Sequence, residues 1–111
     1  MTSDETRDRR DRRVALNEAL FRELNEQIVE VHGGSEQRID FLCECGSQEC
    51  VETIRLAREE YEAVRSDPLL FAMKPGHADL EVDVVVAANE RFETVRKRPS
   101  ESAIARETSP R

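Results

Sequence analysis

The chain has 111 residues, enough for one domain, with 37% of them charged and only 5% aromatic, so hydrophobic burial alone supports a marginal core of about 3–5 kcal/mol. Its net charge of −7 hides basic ends: the segment from residue 14 to residue 96 holds eighteen acids against eight bases, a sign that repels phosphate backbones and argues against nucleic acid as a partner. No apolar run reaches the ~18 residues of a membrane span and the polar N-terminus lacks a secretory h-region, which leads us to expect a cytoplasmic protein with no membrane contact.

Residues 1 to 13 read as a charged N-terminal extension of the first helix. Arg7, Arg9, Arg10, Arg12 and Arg13 are nearly neutralised by Asp4, Glu5, Asp8 and Asp11, which makes a solvated helix start a better reading than a phosphate-binding arm. From Val14 to Val31 the apolar residues fall at helical intervals, with Val14, Phe21 and Ile28 in one row and Leu24 and Val31 in a second row joined by Leu16 and Leu20. Asp4, Glu5 and Asp8 near the start and His32 at the end suit the helix dipole, and Gly33-Gly34 supplies a left-handed stop. The helix also admits a heptad reading, with Val14, Phe21 and Ile28 at one seam position and Asn17, Leu24 and Val31 at the other, and hence a homodimer through the N-terminal helix. Fewer than three full heptads are present, so packing of the apolar rows on the domain's own sheet is the preferred expectation.

Residues 38 to 43 alternate as a strand that ends in cysteine, and residues 51 to 56 supply the return strand of a hairpin whose tip is the Cys43 to Cys50 loop. Gly46 offers that loop a positive φ angle. Residues 57 to 66 read as a short helix stopped by Asp67-Pro68. Leu69 to Met73 is a compact strand entering Lys74-Pro75-Gly76-His77, a turn with the Pro and Gly placement of type II geometry. A second hairpin is expected from residues 82 to 87 and 92 to 96, although residues 80 to 89 also admit a helix. From Pro99 onward the polar composition predicts a disordered tail. The expected fold is α+β: a single domain over residues 14 to 98, in which a long N-terminal helix packs on a small, mostly antiparallel sheet with a second short helix and a zinc-knuckle-like loop.

All three cysteines of the chain, Cys43, Cys45 and Cys50, lie in that one loop. Reduced thiols so clustered serve metals or catalysis more often than disulfides. His77, held in a stiff turn, completes a Cys₃His donor set for structural Zn²⁺. The Cys-x-Cys-x₄-Cys spacing differs from the common Cys-x₂-Cys knuckle, so three unlinked cysteines remain an alternative, as does thiol chemistry, either a redox switch of Cys45 with Cys50 or a nucleophile assisted by His77. Glu44 and Glu49 weigh against an activated thiol, because a negative neighbour makes the thiolate scarcer. Should His77 not bind, Asp79 or a water could take its position. A structural zinc contributes about 10 kcal/mol or more to folding, which a core this small would use.

At Phe41-Leu42-Cys43-Glu44-Cys45, Cys50, Glu60 to Arg65, Phe71 and Pro75-Gly76-His77, the chain resembles a family of small uncharacterised bacterial proteins with a Cys-x-Cys loop, a third Cys, an acidic Tyr-containing helix and a Pro-Gly-His turn. The resemblance covers about residues 14 to 97. It implies that Cys43, Cys45, Cys50 and His77 form one zinc-binding unit, and it implies no activity. The chain departs from the pattern at Ala57, where a Thr or Ser cap is expected before the short helix.

Catalytic signatures are missing: no Gly-rich phosphate loop, no Gly-x-Ser-x-Gly elbow and no His-Glu-x-x-His. The sequence therefore predicts a non-enzymatic, zinc-stabilised module that binds a protein partner or regulates one. The alternatives are a thiol-based redox sensor that releases zinc on oxidation and, more weakly, a metal-dependent hydrolase with an open coordination position.

Overall fold

A computed structural model describes residues 3–31, 38–47, 49–98 and 102–108. The elements are helix α1 (Ser3–Val31), strands β1 (Ile39–Leu42) and β2 (Thr53–Leu56), helix α2 (Arg58–Arg65), strands β3 (Leu70–Met73), β4 (Asp83–Ala88) and β5 (Glu93–Lys97), and helix α3 (Ser102–Glu107). This is the expected α+β architecture, with two departures. The strands form two antiparallel sheets instead of one: a β1–β2 hairpin and a three-stranded sheet in the order β3-β5-β4. Residues 99 onward, expected to be disordered, include α3, whose Ala105 is buried.

Alternation places the hairpin's apolar residues on one face. Phe41 pairs with Ile54 and Ile39 with Leu56, and all four are buried. They pack with Val29 of α1, Tyr61 and Val64 of α2, and Ala72 of β3; the Phe41 and Tyr61 rings stack at 4.5 Å between centroids. A second cluster, including Leu69, Phe71, Met73, Val95 and Ala105, lies under the other sheet and reaches Cys43. The two sheets are joined where Glu44 donates its backbone N–H to the Ala72 carbonyl at 2.9 Å, so the residue after Cys43 is pinned to β3.

Residues 83 to 88 are strand, which resolves the helix alternative for that stretch, and Val85 and Ala87 flank a bulge against β5. Ala57, the extended residue that precedes helix α2, has no capping side chain, but Glu60 reaches back to accept the Ala57 N–H at 2.8 Å and so supplies half of a capping box. The stop expected at Gly33-Gly34 and the capping role of His32 fall outside the described residues, as do the side chains of Asp4, Glu5 and Asp8. Among the described residues no helix is long and apolar enough to cross a membrane.

The orientation of α1 corrects the sequence reading most. Its buried positions are Ala15, Glu18, Arg22, Asn25 and Val29, while Leu16, Leu20, Leu24 and Val31 are exposed and Val14, Phe21 and Ile28 are half-buried. The helix does pack on β1, but it presents a largely polar face to do so. The physical reason lies in what it meets, which is the carbonyls and acids of the cysteine loop and two buried charge clusters.

Candidate metal centre

The loop that carries the cysteines is held at three places by backbone geometry. Cys43 donates its N–H to the Glu52 carbonyl at 3.1 Å, closing the end of the β1–β2 hairpin, and Cys50 donates to the Ser47 carbonyl at 3.2 Å. Between them Gly46 adopts φ +78°, and a Cβ placed there would lie 2.6 Å from both the Val14 carbonyl oxygen and Glu18 Cγ. Only glycine satisfies both the dihedral and the close approach of α1. Asn17 of α1 then donates from Nδ2 to the Gly46 carbonyl at 3.1 Å.

On the other side of the site, β3 runs into the Lys74–His77 turn. His77 donates its N–H to the Lys74 carbonyl at 3.0 Å and Gly76 has φ +87°, the type II geometry that the Pro-Gly pair favours. The turn is tied outward by Gly76 N–H to Glu93 at 2.9 Å and inward by Lys74 N–H to Cys43 Sγ at 3.2 Å.

These two loops bring the four predicted residues together. One donor atom from each of Cys43, Cys45, Cys50 and His77 lies within 4.8 Å of every other. His77 Nδ1 is 3.6 Å from Cys43 Sγ and 3.6 Å from Cys50 Sγ. A tetrahedral ion with sulfur at about 2.3 Å and nitrogen at about 2.0–2.1 Å requires a sulfur-to-nitrogen edge of about 3.6 Å. The donor set thus has the chemistry and the edge length of a closed Cys₃His metal site. Cys43 is buried, whereas Cys45, Cys50 and His77 are half-buried. Asp79, the fallback ligand, is outside this group.

Crowding sets the charge state of the three thiols. The contact with Cys45 and burial push the Cys43 thiol up, burial pushes Cys50 up, and hydrogen bonding from Cys43 brings Cys45 down to about 4. A divalent cation supplies the charge that lets all three ionise.

The loop's second anchor is a polar core that sequence reasoning missed. Asn25 of α1 holds both polar groups of the Leu42 backbone, donating to its carbonyl at 2.9 Å and accepting its N–H at 2.8 Å. Glu44, between the first two cysteines, points inward and has no exposure. Its Oε2 accepts from Asn25 at 2.8 Å and from the Tyr61 hydroxyl at 2.7 Å, its Oε1 accepts the Ala72 N–H at 2.9 Å, and Arg65 lies 3.6 Å away. Glu44 therefore acts on the fold and does not face the sulfurs as the sequence reading supposed. Arg22 sits over the Phe71 ring at 4.4 Å and donates to the Pro68 and Ala105 carbonyls at 2.7 and 2.8 Å, which is what fixes α3. The available signal was Glu18, Arg22 and Asn25 recurring at spacings of four and three along α1, with an acid placed between two candidate ligands.

An open groove of about 740 Å³ borders the cluster, with Arg13, Asn17, Cys45, Cys50, Glu52 and His77 among its lining residues. Comparisons with protein-family profiles, with characterised proteins and with solved structures find no match. The family expected from the motif is therefore not shown, and the grouping of the four side chains rests on geometry alone.

Proposed function

We propose that this chain is a small non-enzymatic module for protein binding or regulation, working in the cytoplasm, whose fold is stapled by a structural Zn²⁺ on Cys43, Cys45, Cys50 and His77. The observation that carries the reading is the pair of 3.6 Å edges from His77 Nδ1 to Cys43 and Cys50, contributed by two loops far apart in sequence. Three thiolates and an imidazole suit zinc among the common divalent metals, and four protein ligands leave no coordination position for substrate. The supporting role is structural: the ion would tie the tip of the β1–β2 hairpin to the turn after β3. The acidic body and the exposed face of α1 are the surfaces on which a protein partner would dock.

Metal analysis of protein purified without added metal should return close to one zinc per chain. His77→Ala should weaken zinc binding at least about tenfold and lower the melting temperature. Folded wild-type protein free of metal would remove the staple and this reading with it.

The half-exposed Cys45 and Cys50 on the groove favour a second reading, a sensor in which oxidation of the thiolates ejects zinc. Mild peroxide followed by thiol counting separates the two. A sensor loses zinc at low oxidant and regains it on reduction, whereas a structural site keeps it.

A further inference from the structure

Helix α1 turns its aliphatic side to solvent. Leu16, Leu20, Leu24 and Val31 are exposed by 53, 52, 36 and 80%, and at 3.6 residues per turn they fall within an arc of about 80° on the face opposite Glu18, Arg22 and Asn25. The stripe runs for about 22 Å along a helix of 29 residues. Single exposed aliphatics are ordinary, but an aligned set of four on so charged a chain marks a contact surface.

The charges beside the stripe indicate what covers it. Arg12 is exposed beside the N-terminal end of the stripe, and on the same side of it Glu23 and Glu30 are exposed beside its C-terminal half. A second copy laid antiparallel brings the arginine end of each helix onto the glutamate end of the other; a parallel copy would stack like on like. We propose that this face is the interface of an antiparallel dimer of the chain, with Leu20 against Leu20 across the twofold axis and Leu16 of each copy against Leu24 of the other. In that register Arg12 lies level with residue 28 of the other copy, two residues from Glu30 and on the same side of the seam. The seam differs from the heptad rows expected from sequence, because Val14, Phe21 and Ile28 are half-buried against the body. This interface gives the protein-binding reading its partner, and its test keeps metal content as a separate measurement.

Sedimentation velocity on the full, zinc-loaded chain across the micromolar range tests it. The wild type should dimerise, more weakly at high salt. Leu20→Glu and Leu24→Glu should each weaken dimerisation at least about tenfold, with helicity and zinc content unchanged because both positions face solvent in the monomer. The pair Arg12→Glu with Arg13→Glu, and separately Glu23→Lys with Glu30→Lys, should each be monomeric alone and should dimerise when mixed. A wild type that stays monomeric while retaining zinc would overturn the dimer and leave the face to a different protein. A dimer that survives Leu20→Glu would overturn the seam, and charge variants that fail to restore each other would overturn the antiparallel pairing.

Discussion

Tyr61 donates its hydroxyl hydrogen to Glu44 across 2.7 Å, and both side chains have no exposure to solvent. A carboxylate so placed is tolerated only because every direction around it is filled: Asn25, the Ala72 N–H and Tyr61 give hydrogen bonds, and Arg65 gives charge. Since Glu44 sits between Cys43 and Cys45, the same contacts set the course of the chain through the metal loop.

Removing the charge from Glu44 should therefore be expensive. Glu44→Gln leaves Arg65 buried without its counter-charge and is expected to lower the stability of the zinc-loaded protein by about 3 kcal/mol, against about 1 kcal/mol for Tyr61→Phe, which deletes one hydrogen bond. Urea unfolding of the three proteins measures both. Equal stability of Glu44→Gln and wild type would show that the network holds nothing together.

The two positive-φ glycines provide an internal comparison. Gly46 and Gly76 have similar dihedrals, so alanine at either should lose about 1–2 kcal/mol to backbone strain. Nothing lies within 4 Å of a Cβ at Gly76, whereas at Gly46 it meets the Val14 carbonyl oxygen at 2.6 Å. Gly46→Ala is thus expected to be worse than Gly76→Ala by at least about 2 kcal/mol in thermal or urea unfolding, and to loosen zinc, because relief of the clash must move either α1 or the loop. Matching losses at the two positions would mean that α1 does not press on the loop.

The sequence disclosed the elements well because local signals agreed. Residues 39 to 42 and 53 to 56 alternate, Pro75-Gly76 shapes a turn, and three cysteines in one loop announce their own proximity. What it concealed was long-range. The reading of α1 assumed that its aliphatic rows face inward, and the rule failed since Glu18, Arg22 and Asn25 each find partners supplied from far along the chain: Lys97, Pro68 and Leu42. Periodicity reports that a helix has two faces; which one is buried depends on the partners. The short helix α3 was hidden for the same reason, since its buried contact with Arg22 spans most of the sequence.

The buried ionic cluster on α1 has a signature in pH. Glu18 and Asp83 both pair with the Lys97 ammonium, Asp83 at 2.6 Å, and all three are buried, with Glu44 also contributing negative charge. One cation faces two carboxyl groups, so burial pushes the Glu18 carboxyl from an ordinary 4.5 up to about 8 even with Lys97 opposing the shift. Burial also disfavours the Lys97 ammonium, but Glu18 and Asp83 outweigh it and raise its pKa. The sign follows from the proton count. The folded protein keeps a proton on Glu18 that the unfolded chain releases above about 4.5, so the stability linked to this group is full below that value and is lost as pH rises toward 8. Glu18→Gln keeps the shape, cannot ionise, and should flatten the decline of stability between pH 5 and 8, the window set by those two values. Thermal melts of wild type and variant across that range decide the matter: parallel curves would show that Glu18 does not titrate there, whereas curves that separate as pH rises, with the wild type falling, would identify it as the group that does.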